Sequence, residues 1–125
     1  MYNEKVIDIF SKPKHAGELA DANGIGTVGN ASCGDIMKIY LKIDSSETIT
    51  DASFLTFGCA AAIASSSMAT DMIIGKTIEE ALKVTNAQVL EALGGLPQHK
   101  VHCSILAEEA IQAAVADYRN SQNKG

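Results

Sequence analysis

The chain has 125 residues, of which 46% are hydrophobic and 20% charged, so it is long enough for one folded domain and too apolar to be disordered. Its net charge is −5 with both signs mixed along the chain. It therefore has no basic stripe with which to neutralise a nucleic-acid backbone, and no run of about 18 apolar residues with which to cross a membrane. Aromatic residues are scarce and tryptophan is absent. The core must be built from Ile, Leu, Val, Met and much Ala.

Asn3 to Ser11 reads as a short amphipathic helix, with Val6, Ile7 and Phe10 on one side, Asn3 as its cap and Pro13 beyond its end. From Pro13 to Gly29 the chain is turn-rich, with Gly17, Asn23-Gly24, Gly26 and Gly29. An irregular segment is expected there, with a short strand around Gly26–Ala31. Residues 1–30 are expected to be partly mobile. Ile36 to Ile43 alternates Met37, Ile39, Leu41 and Ile43 with Lys38, Tyr40 and Lys42, the period of a strand with one buried face. Asp44-Ser45-Ser46-Glu47 supplies a turn, and Thr48–Phe57 returns as an antiparallel partner.

At Ala60 the period changes. Ala60–Ile74 is an alanine-dense helix carrying Ser65-Ser66-Ser67, with Gly75 as its stop. Thr77-Ile78-Glu79-Glu80 and Thr85-Asn86-Ala87-Gln88 each have the spacing of a capping box, predicting helices Ile78–Lys83 and Asn86–Leu93. Gly94-Gly95-Leu96-Pro97 breaks the chain. Ser104–Asn120 carries an apolar stripe of Leu106, Ala107, Ala110, Ile111, Ala114, Val115 and Tyr118, and extending that stripe back one turn reaches Cys103. Ser121–Gly125 is expected to fray. The fold class that follows is α+β in a single domain spanning 1–125. A small antiparallel three-stranded sheet, its third strand lying before Cys33, packs against about five helices.

Three cysteines, Cys33, Cys59 and Cys103, are an odd number at wide spacing, unlike a secreted disulfide framework. With a polar N-terminus lacking a signal-peptide core, a cytoplasmic location is the expectation. Each cysteine falls at a boundary between elements. Cys59 and Cys103 precede helices, where unpaired amide N–H groups favour thiolate over thiol. Cys33 stands in a turn beside Gly34 and Asp35, and His102 adjoins Cys103. Three sulfurs with one carboxylate or imidazole form a tetrahedral donor set that suits zinc, or iron in a 2Fe–2S cluster, and the ligands alone do not separate the two. His15, His99, Lys14 and Lys100 read as solvated, and Ser65–Ser67 as helix packing.

Ala31-Ser32-Cys33-Gly34-Asp35, Thr56-Phe57-Gly58-Cys59-Ala60-Ala61-Ala62-Ile63-Ala64-Ser65-Ser66-Ser67 and Lys100-Val101-His102-Cys103-Ser104-Ile105-Leu106-Ala107 resemble, in order and spacing, the IscU/NifU N-terminal-like family of iron–sulfur cluster assembly scaffolds. The resemblance covers essentially the whole chain. It implies a scaffold or carrier rather than an enzyme with turnover. Cys33, Cys59 and Cys103 match the cluster ligands, Asp35 an aspartate that helps hold and release the cluster, and His102 an alternative fourth ligand. Cys103 also matches the acceptor of persulfide sulfur, with Lys100 as an electrostatic assistant; an exposed thiol of depressed pKa is what that step needs.

The implied cargo is a 2Fe–2S cluster, with 4Fe–4S as a variant, built from iron; zinc can take the same ligands in the apo form. The implied partners are a cysteine desulfurase, recipient apo-proteins and a ferredoxin-type electron donor, with the chain acting as a monomer or a cluster-bridged dimer. Family members served by an Hsp70-type chaperone carry Leu-Pro-Pro-Val-Lys. Leu96-Pro97-Gln98-His99-Lys100 lacks the second proline and the valine, so the resemblance does not extend to that signal. A zinc-bound sulfur acceptor of the SufU type is the competing expectation.

Overall fold

In the computed structural model the described residues are 3–30, 35–57, 60–98 and 101–123. They form, in order, α1 (Glu4–Ser11), β1 (Gly24–Asn30), β2 (Asp35–Ile43), β3 (Ile49–Phe57), α2 (Ala60–Ile73), α3 (Ile78–Leu82), α4 (Asn86–Leu93) and α5 (His102–Asn123). The three strands make one antiparallel sheet in the order β1-β2-β3. The α+β architecture with one sheet and five helices is as expected.

The sheet buries one face as its alternation requires. Met37, Ile39, Leu41 and Ile43 from β2, with Ala52 and Phe54 from β3, join a continuous core with α2 and α5. α2 is buried nearly all round, because Ala61, Ala62, Ala64 and Ala69 let the sheet on one side and helices on the other approach closely. The same enclosure covers Ser65, Ser66, Ser67 and Thr70. Ser66 Oγ donates to Ala62 O at 2.7 Å and Thr70 Oγ1 to Ser66 O at 2.8 Å, so two of these four hydroxyls are satisfied on their own helix.

β1 corrects the sequence-based reading. It starts at Gly24, two residues before the predicted strand, in a stretch assigned to turns. The reason is tertiary. A β-carbon on Gly26 would lie 2.3 Å from Ala114 N and 2.5 Å from Ala110 O, and one on Gly24 would lie 2.7 Å from Ala114 O. The glycines are there to let α5 lie directly on the strand, not to break it. Asp117 of α5 then accepts the Ile25 N–H at 2.9 Å, satisfying an edge donor that β2 does not reach.

The irregular stretch before β1 is also pinned. Gly17 N donates to Phe54 O at 2.8 Å and Phe54 N to His15 O at 2.9 Å, covering part of the β3 edge. Asn23 then grips Ile43, with Nδ2 donating to its carbonyl at 2.7 Å and Oδ1 accepting its N–H at 2.9 Å. Between these anchors the chain passes from the β3 edge to β2 across the outer face of the sheet. Lys42, on that face, ion-pairs with Asp21. The crossing explains why Tyr40 and Ser53 are only 5% and 8% exposed although they alternate out of phase with the core residues.

Both predicted capping boxes form. Thr77 accepts Glu80 N at 3.2 Å while Glu80 Oε1 accepts Thr77 N at 3.0 Å, and Thr85 with Gln88 repeats the pattern at the start of α4. α4 ends at Gly94 in the left-handed conformation, φ 77°. Asn3 caps α1 by accepting Val6 N at 2.9 Å, and its Nδ2 donates to Leu93 O and Gly95 O at 3.1 and 3.2 Å. One side chain thus joins the start of α1 to the end of α4.

Candidate functional site

Asn30 and Asp35 are cross-strand partners, and Ile36 pairs with Phe57 in the next strand over. The end of β1, the start of β2 and the end of β3 therefore share one end of the sheet. α2 begins three residues after Phe57 and runs back towards the other end, where Gly75 N donates to Ile49 O at 2.7 Å.

The start of α5 reaches the same end by a register argument. Gly24 meets Ala114 and Tyr118, whereas Gly26 meets Ala110, Ala113 and Ala114, so β1 and α5 run antiparallel. A strand rises about 3.3 Å per residue and a helix about 1.5 Å. The four residues from Gly26 to Asn30 thus advance roughly 13 Å, equal to about nine residues of helix. Nine residues back from the Ala110–Ala114 contact is the first turn of α5, where His102 and Cys103 stand. Three chain boundaries far apart in sequence converge on one end because the strands begin or stop there and α2 and α5 both start there, running in the same direction.

Of the residues singled out in the sequence, Cys103 is the best described. It is fully buried, 0% exposed, within the core that includes Leu106, Ala107 and Ala110. The inward placement expected from the α5 stripe is observed, and the exposed thiol that sulfur acceptance calls for is not. Ser104 beside it is buried too, its Oγ donating to Val101 O at 2.7 Å and its N–H to the same oxygen at 3.0 Å. Asp35 is the first residue of β2 and His102 the first of α5. Cys33, Cys59, His99 and Lys100 lie outside the described residues. Among the described residues no group of three or more His, Cys, Asp or Glu side chains gathers as a metal site.

Two features of this end escaped the sequence reading. Phe57 is 74% exposed and Ile36 46% exposed, side by side on the outer face where the Gly17–Asn23 crossing does not reach. Their alternation with buried neighbours was the available signal, since Met37 on β2 points inward. Ser65, one turn into α2, has a buried hydroxyl with no hydrogen-bond partner among the described residues. His15, expected to be solvated, is instead paired through Nε2 with Asp71 Oδ1 at 3.1 Å.

Comparison with known proteins agrees over the full length. The family described as the NifU-like N terminal domain matches residues 1–125. Iron-sulfur cluster assembly scaffold protein IscU 1 of Archaeoglobus fulgidus is 56% identical over 124 residues, covering 99% of this chain and 80% of its own. The protein named iron-sulfur cluster assembly scaffold protein IscU in Haemophilus influenzae is 51% identical over 124 residues, covering 97% of this chain and 98% of its own. Among solved structures, a putative iron-sulfur cluster assembly scaffold protein for the SUF system from Fervidobacterium islandicum superposes with a TM-score of 0.73 at 28% identity, covering 91% of this chain and 96% of that one. The chain belongs to the NifU-like N-terminal domain family.

Proposed function

We propose that this protein is a scaffold on which an iron–sulfur cluster is assembled and from which it is handed on. The observation that carries the reading is the convergence of all three cysteine-bearing boundaries on one end of the sheet, in a chain 56% identical to a protein named as such a scaffold. Covalent connectivity adds to it. Cys33 is two residues from Asp35 in the sequence and Cys59 two residues from Phe57.

The donor set consists of Cys33, Cys59 and Cys103, with Asp35 or His102 as the fourth ligand. Three thiolates and one harder, weaker donor hold a 2Fe–2S cluster less firmly than four thiolates, which suits a cluster that is cargo. Sulfur arrives on Cys103. Its thiolate attacks the outer sulfur of a persulfide on a cysteine desulfurase, the donor S–S bond breaks, and the donor thiolate leaves with the electron pair and takes up a proton. Each transferred sulfur must then gain two electrons to become sulfide, the task of a ferredoxin-type donor. Lys100 supports the thiolate electrostatically, and recipient apo-proteins take the finished cluster. Because Cys103 is fully buried, a donor persulfide meets it only after this end of the molecule has opened.

Anaerobic incubation with iron, cysteine and a desulfurase tests the reading. The chain should develop the visible absorption of a cluster and carry persulfide on Cys103 by mass spectrometry, and Cys103→Ser should abolish both. A chain that stays colourless where a control scaffold loads is no scaffold. The second reading is a zinc-bound sulfur acceptor of the SufU type, although the SUF-system neighbour is itself described as a putative scaffold. Asp35→Ala separates the two: a scaffold retains its cluster longer, whereas a zinc acceptor only binds zinc less tightly.

A further inference from the structure

Away from the cysteine end, α1, the Lys12–Lys14 segment and the second half of α2 flank an open groove with a volume of about 210 Å³. Its apolar lining comes from Ile9 and Met68, and its charged lining from Asp8, Lys12, Lys14 and Asp71. The rim is built rather than incidental. Lys14 N donates to the buried Ser67 Oγ at 3.0 Å, and that hydroxyl donates back to Lys14 O at 3.2 Å. The next residue, His15, is held at φ 65°, a left-handed conformation uncommon for a residue with a side chain. Its carbonyl is fixed by Phe54 N and its ring by Asp71. Such strain persists only where the surroundings over-determine it, and it concentrates at ligand sites.

We propose that this groove binds a single zwitterionic α-amino acid with an aliphatic side chain. The lining carries two ammonium groups and two carboxylates, so a lone anion meets Asp8 and Asp71, and a lone cation meets Lys12 and Lys14. A zwitterion satisfies both signs, its carboxylate towards the lysines and its ammonium towards Asp8, while its side chain covers Ile9 and Met68. The volume is smaller than the roughly 300 Å³ at which drug-sized ligands begin to fit, which favours one amino acid over a peptide or nucleotide. The site uses no cysteine and is independent of cluster assembly.

L-leucine titrated into the full chain, followed by amide NMR, is the test. Saturable shifts should centre on Ile9, Lys14, Met68 and Asp71. N-acetyl-L-leucine and L-leucinamide, each lacking one charge, and glycine, lacking the apolar side chain, should bind roughly tenfold more weakly or worse. Lys14→Glu leaves the backbone bonds to Ser67 in place and should weaken leucine to the same degree. Shifts that do not saturate, that centre elsewhere, or that are equal for leucine and its singly charged derivatives overturn the proposal. A Cys103→Ala chain should bind leucine as the native chain does, so failure here leaves the scaffold reading untouched.

Discussion

At the hairpin end of the sheet, Asp44 Oδ1 accepts from Ser46 N, Ser46 Oγ and Thr48 N, and α3 is tied on by Ile49 N to Lys76 O and Ile78 N to Glu47 O. The opposite end instead exposes Phe57 and Ile36 while burying Cys103. One end spends its polar groups on closing turns. The other leaves apolar side chains in water that the core does not use, and encloses Cys103, the thiol to which we assign sulfur acceptance. The two ends of the sheet thus differ in how their side chains are used, polar closure at one and exposed apolar groups beside a buried thiol at the other.

The largest test strikes the element that joins the two ends. Gly26→Val drives a side chain into the α5 backbone at Ala110 and Ala114, where nothing flexible can yield. It should cost about 3 kcal/mol or more in urea unfolding and, by displacing the start of α5, should also abolish cluster loading. An unchanged unfolding midpoint would refute the close packing of β1 on α5. Next is Asn3→Ala, which removes the α1 cap and the donors to Leu93 and Gly95 together. A loss of about 1–2 kcal/mol is expected, seen as a lower urea midpoint with an unchanged slope.

The hairpin end should also fail first in acid. The Thr48 N–H, helped by Ser46, holds the Asp44 carboxyl below its ordinary range, and the Thr77 N–H and hydroxyl do the same for Glu80. A depressed folded pKa stabilises the fold above the unfolded value and loses that contribution as pH falls through the folded one. Stability should therefore decline below about pH 4. Asp44→Asn combined with Glu80→Gln should flatten that decline when urea midpoints at pH 6 and pH 3 are compared, and an equally steep decline would rule these two groups out as its source. The smallest effect belongs to the cysteine end: Phe57→Ser should change stability by no more than about 0.5 kcal/mol, since most of the ring is already in water. A larger loss would show that this surface serves the fold after all.

Local rules written into the chain sufficed for much of this molecule. The β2 alternation, both capping boxes and the α5 stripe with Cys103 on its inner side depend only on residues a few positions apart, so their signal survives without the fold. The three cysteine motifs likewise carried the family, because order and spacing are properties of sequence. Tertiary structure decided what those rules cannot reach. Gly24 and Gly26 look like turn residues until α5 is laid across them, and Tyr40 and Ser53 look like a solvent face until the chain crosses above them. His15 acquires a partner 56 residues away. Above all, periodicity turned Cys103 inward, but only the packing of the core around it removed the thiol from solvent altogether, because burial is a sum over neighbours that no single stretch of sequence contains.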